Sequence, residues 1–220
     1  MFLGHYAVAL GAKRAAPTVS LGTLFAAAAF LDLLWPVLVL VGVERVTIVP
    51  AATAFTPLDF EYYPFSHSLV TSIVWGVFFG GAYYALKRRS RPAIVLGLLV
   101  VSHWILDVIV HRPDLPLIPG GATRVGLRLW SSVPGTLAVE IAMFAVGVAL
   151  YLRAGGDAER AVGVRFWIFV AFLLAVYAAA SFGPPPPSAS AVAWSDMGQW
   201  LVIFWAAWVD RPRTGASRVA

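Results

Sequence analysis

No cysteine occurs in the 220-residue chain, so it has no disulfide, no thiolate metal ligand and no cysteine nucleophile. Charge is scarce as well. Asp, Glu, Lys and Arg make up 12% of the residues, where a soluble domain carries about 25%. That shortage excludes an ordinary cytosolic enzyme and a highly charged disordered chain. There is no Gly-X-Y period and no repeat of about 20–50 residues, which sets aside collagen and solenoid folds. What is abundant is apolar: 60% of residues are hydrophobic, with 14 Phe and 9 Trp. One aqueous core cannot hide that much apolar side chain, and the sequence reads as an integral membrane protein.

A membrane helix needs about 20 mostly apolar residues. Six stretches meet or approach this: Thr18–Val43, Ser66–Leu86, Ala93–Val110, Pro134–Leu152, Arg165–Phe182 and Ala191–Val209. They lack the two-residue alternation of barrel strands. The expected fold is an all-α polytopic membrane helix bundle, a single domain over residues 1–220. It has six spans and a short, partly inserted N-terminal helix at Phe2–Ala12. That first segment does not read as a signal peptide, because Lys13 and Arg14 follow its apolar part. Pro36 lacks the N–H that the Asp32 carbonyl would accept, so a kink is expected there.

Basic residues sort strongly between the two sets of span ends. Lys13, Arg14, Lys87, Arg88, Arg89, Arg91, Arg153, Arg160, Arg165, Arg211, Arg213 and Arg218 share one side. Only Arg45, Arg112, Arg124 and Arg128 fall on the other. By the positive-inside rule, the first side and the C-terminus are cytoplasmic. The net charge of +5 follows from this sorting. With its basic residues dispersed and no reading motif, the chain is expected to bind no nucleic acid. Two long loops, Glu44–Phe65 and His111–Val133, lie on the other side. Pro184–Pro187 reads as a stiff connector.

Ionisable residues inside spans are costly and by default mark function. Asp32, Asp107, Glu140 and Asp196 fall within the six stretches, and no Lys or Arg lies in their interiors. At about 1.5 Å per residue, Asp32 and Asp107 lie about 21 Å from the basic end of their spans, and Glu140 about 9 Å from the opposite end. These carboxylates therefore share a level with His103, one turn from Asp107, and His67 opens the second span nearby. His103, Asp107 and His111 are spaced to share one helix face. His5 reaches the same layer if the first helix tilts inward. Acids and imidazoles without basic partners call for a cation, and this donor set suits zinc or another transition ion. Two other readings stand beside it: protonated buried carboxyls and hydrogen bonds that pack helices together. Asp59 and Glu61 lead into His67 and are further candidates for ligand or base, or solvated loop acids.

The ordered set Gly4-His5, Leu31-Asp32, Ser66-His67-Ser68-Leu69 and Ser102-His103-x-x-x-Asp107 resembles a bacterial family of membrane-bound metal-dependent hydrolases. That family includes LexA-regulated inner-membrane proteins and is distantly similar to zinc phospholipase C and the single-strand-specific zinc nucleases. The likeness spans about residues 3–119. It implies His5, Asp32, His67, His103 and Asp107 as metal ligands, and a bacterial inner-membrane location. The chain departs from the family where Leu33, Leu34, Trp35 and Pro36 follow Asp32, and where Tyr63-Pro64-Phe65 precedes Ser66.

Three functions follow as expectations. The first is a membrane-embedded hydrolase in which metal-activated water attacks a lipid or lipid-linked (phospho)ester, with Asp32 or Glu140 as general base. The second is a non-enzymatic metal-binding protein: a sensor, transporter or assembly factor. The third is a haem or quinone protein using paired histidines.

Overall fold

The computed structural model describes residues 1–154 and 163–211. Arg160, Arg213 and Arg218, counted above among the basic side, lie outside the described residues. Within them the chain is mostly helical, with little sheet. The helices are α1 (Leu3–Ala12), α2 (Leu21–Ala28), α3 (Phe30–Leu40), α4 (Pro64–His67), α5 (Leu69–Lys87), α6 (Ser90–Val110), α7 (Val133–Leu152), α8 (Val164–Phe182), α9 (Ala189–Asp196) and α10 (Gln199–Val209). Strands β1 (Arg45–Ile48) and β2 (Leu58–Tyr62) form an antiparallel hairpin, and β3 (Leu115–Pro116) pairs with β4 (Arg124–Val125). The two long loops are therefore partly ordered as β-ribbons.

Four helices, α5 to α8, are long and apolar enough to cross a membrane. The α2–α3 pair qualifies as a fifth crossing if counted together, bent by 56°. Six unbroken spans are not what the chain forms. Ala191–Val209 divides at Met197 and Gly198 into α9 and α10, each too short to span alone at about 1.5 Å per residue. The expected kink at Pro36 is displaced too. Pro36 lies inside α3, and the bend falls at Ala29.

Helix starts follow local chemistry. Ser20, Ser68, Ser132 and Ser188 each accept a hydrogen bond from a backbone N–H in the first turn of the helix they precede, satisfying a donor the helix itself leaves free. Close crossings rest on glycine. A Cβ at Gly76 or Gly80 of α5 would stand 2.7 or 2.6 Å from backbone oxygens of α6. Large apolar side chains such as Val77, Phe78, Leu98 and Leu201 point outward and are exposed, as a lipid-facing surface requires.

The short first helix is the surprise of the bundle. Leu3, Ala9 and Leu10 are buried, and α1 packs on α7, α2 and α6. A Cβ at Gly147 of α7 would stand 2.5 Å from the Ala7 carbonyl oxygen. α1 is packed into the bundle, with seven of its ten residues buried. Two anchors hold it. At one end, Glu140 Oε2 accepts the N–H groups of Phe2, Leu3 and Gly4. At the other, Lys13 pairs with Asp210, whose carboxylate also accepts Leu21 N–H and the Tyr151 hydroxyl.

Candidate metal centre

Five side chains from four helices meet beside the bend at Ala29. Asp32 enters from the first turn of α3, His67 from the end of α4, His103 and Asp107 from successive turns of α6, and His5 from α1. His67 Nε2 lies 3.3 Å from Asp32 Oδ1 and 3.7 Å from Asp107 Oδ2. His103 Nε2 lies 3.4 Å from Asp32 Oδ1 and 3.2 Å from Asp107 Oδ2. Zinc bonds of about 2.0–2.1 Å place neighbouring donors of a tetrahedral site about 3.3 Å apart, so the spacings from Asp32 to His67 and His103, and from His103 to Asp107, are those of neighbouring donors on a cation. His5 Nε2 approaches the other oxygen, Asp107 Oδ1, at 3.2 Å, and its ring stacks on His103 at 3.6 Å between centroids. The Met1 amine also bonds Asp107 Oδ1, at 2.7 Å.

The outer partners fix which nitrogen of each ring faces the centre. His103 Nδ1 lies 2.7 Å from the carbonyl oxygen of Ala28, beside the helix break. A carbonyl only accepts, so Nδ1 carries the proton and, in the neutral ring, Nε2 presents a lone pair. His67 Nδ1 lies 2.7 Å from Ser66 Oγ, and Ser66 donates its one proton to Glu44 Oε2 at 2.6 Å. Ser66 must therefore accept from Nδ1–H, and in the neutral ring His67 Nε2 presents a lone pair as well. Glu44 Oε1 accepts the N–H groups of Phe65 and Ser66, which completes this support.

In neutral rings these lone pairs would repel the carboxylates they face, unless a positive charge, a metal ion or a ring proton, lies between them. Both ring nitrogens of His5 and Nε2 of His103 are buried with no hydrogen-bond partner among the described residues. Two groups are thus able to hold a metal ion, His5–His103–Asp107 and Asp32–His67–His103. The Asp32 side chain is 27% exposed, and the other four members are at most 5% exposed. The centre opens at Asp32.

Other residues singled out in the sequence lie elsewhere. Glu140 caps α1 through Oε2 and belongs to neither group. His111, in line with His103 and Asp107 along α6, turns instead to Asp114 at 3.0 Å. Asp114 also accepts from the Tyr63 hydroxyl and from Arg112, and Arg112 pairs with Asp59. Burial, reinforced by Asp114, holds the Tyr63 hydroxyl well above its ordinary pKa, so it remains a donor. This network ties the hairpin to the end of α6. Glu61 faces Arg45 at the surface, and Asp196 lines a neighbouring cavity. Glu44 is the supporting residue that sequence reading missed. Its only signal was an acid at the end of an apolar run, indistinguishable there from a solvated loop residue.

Comparison with family models, with curated proteins and with solved structures finds no match to this chain.

Proposed function

We propose that the chain is a membrane-embedded, metal-dependent hydrolase acting on a lipid or lipid-linked ester or phosphoester. The observation that carries this reading is the meeting of two inward-facing Nε2 atoms with two carboxylates, with Asp32 the exposed member. Asp32, His67 and His103 would hold the cation, and His5, His103 and Asp107 form a second set able to hold one. A divalent ion bound there, zinc by the chemistry of its donors, would supply Lewis acidity and would acidify water. Asp32, the exposed member, is placed to receive the proton that hydrolysis releases. Glu44 and Ser66 keep the His67 ring in register, and Glu140 keeps α1, and with it His5, in position. The basic-residue sorting supports a centre in the outer half of the membrane with the C-terminus cytoplasmic, and the family resemblance implies a bacterial inner membrane.

A second reading has its own support. Two overlapping three-residue donor groups joined at His103 also suit bound metal that is held without turnover. The two separate by assay. Purified protein loaded with zinc should release product from phospholipid esters, and His103→Ala should bring release to background. Equal turnover in His103→Ala would remove the hydrolase reading, and stoichiometric metal without turnover would favour the second.

A further inference from the structure

A groove of about 630 Å³ runs along the lipid-facing side of the α5–α6 pair. Of the four long helices α5 is the least buried, and it packs chiefly on α6. The two backbones cross so closely at Gly76, Gly80 and Gly97 that a trough is left beside the crossing. Ile73 and Val77 form one wall, Ile94 and Leu98 the other, and all four are exposed. The trough ends at Tyr84 and Ser90, at the run Lys87-Arg88-Arg89-Ser90-Arg91. At about 1.5 Å per residue, the stretch from Ile73 to Tyr84 covers about 17 Å, close to the ~15 Å depth of one hydrocarbon leaflet.

The run at the mouth carries four cations, all exposed. The Lys and Arg ion pairs among the described residues involve Lys13, Arg45 and Arg112 instead. No Asp or Glu occurs from Tyr62 to Leu106. A basic loop orients a span wherever it occurs; here an apolar trough one leaflet deep leads directly into it. We propose that this trough holds an anionic diacyl phospholipid from the leaflet on the basic side. One acyl chain lies between Val77 and Leu98, and the phosphate lies against Lys87, Arg89 and Arg91. A second copy of the chain fits less well, because docking through this face brings two such basic runs together. A soluble phosphate leaves the apolar walls uncovered. The inference stands apart from the hydrolase reading.

Native mass spectrometry of the delipidated, detergent-purified full chain tests it with dimyristoyl phosphatidylglycerol and dimyristoyl phosphatidylcholine, which share chains and differ in net charge. One phosphatidylglycerol should bind at least about tenfold more tightly than phosphatidylcholine, since each basic residue at a membrane surface favours anionic lipid about fivefold. Replacing three cations together, Lys87→Gln, Arg89→Gln and Arg91→Gln, should erase that preference. A Cβ at Gly81, which lines the trough, meets nothing within 4 Å. Gly81→Leu should therefore fill the trough without disturbing the crossing, and weaken phosphatidylglycerol about tenfold, the equivalent of roughly two buried methylenes. Ile94→Trp fills the same space from α6 and should act alike, and thermal melts verify folding. Equal binding of the two lipids, a preference that survives loss of the three charges, or phosphatidylglycerol binding untouched by both trough fillings would overturn the assignment. A lipid-free dimer in the same spectra, dissociated by Gly81→Leu, would also overturn it and give the face to a second copy.

Discussion

His67 is held by a chain of two hydrogen bonds that ends on a buried carboxylate. Ser66 has one proton, and Glu44 receives it, so the imidazole tautomer is set by a serine that can only accept. Supports of this kind typically contribute about 10–100-fold to metal affinity. Ser66→Ala should therefore weaken zinc binding by at least about tenfold, read by competition with a chromophoric chelator. The same variant in metal-free form should shift the His67 ring ¹⁵N resonances toward a mixture of tautomers. An unchanged affinity together with unchanged resonances would show that the support does not set the ring. At this scale the sequence was informative because an acid or imidazole in an apolar run is conspicuous, as Asp32, His103 and Asp107 were. Glu44 was not, because its burial comes from Phe65 and Ser66 folding back over it.

Among the elements, α1 matters most and was read least well. A ten-residue apolar helix is too short to span, and hydropathy has no means of saying that such a helix is surrounded by others. Gly147 was the available clue, since only a glycine lets the α7 backbone meet the Ala7 carbonyl so closely. Glu140 was read as a candidate base from its depth alone, and rise per residue gives depth along a helix but not direction around it. Its carboxylate terminates α1. Glu140→Leu should leave the amides of Phe2, Leu3 and Gly4 buried without an acceptor, at about 1–3 kcal/mol for each not rescued by water. Glu140→Gln, which keeps one acceptor oxygen, should retain most of the stability. Thermal unfolding in detergent measures both, and a Leu variant as stable as wild type would refute the capping role. The break between α9 and α10 was likewise invisible to hydropathy, because Met197 and Gly198 barely lower the average of an apolar window.

Over the whole molecule, two broken helix pairs pack against each other, α2 on α10 and α3 on α9, around a buried α1. The arrangement carries Asp32 and His5 to the face of α6 that bears His103 and Asp107. Class and membrane character were legible, since composition alone demands a lipid-facing surface. The packing order was not, since apolar helices of similar length are interchangeable by pattern, and only close glycine contacts and buried polar anchors distinguish them. The Lys13–Asp210 pair is one such anchor, joining the ends of α1, α2, α7 and α10. The central claim is that imidazoles and carboxylates from separate helices share one cation. Elemental analysis of detergent-purified protein tests it most directly, comparing wild type with His103→Ala and Asp107→Ala after zinc loading and gel filtration. The account predicts a divalent metal in whole-number ratio to wild-type chain and its loss from both variants, with helicity retained by circular dichroism. Wild-type protein that emerges metal-free, or variants that retain the wild-type ratio, would contradict it.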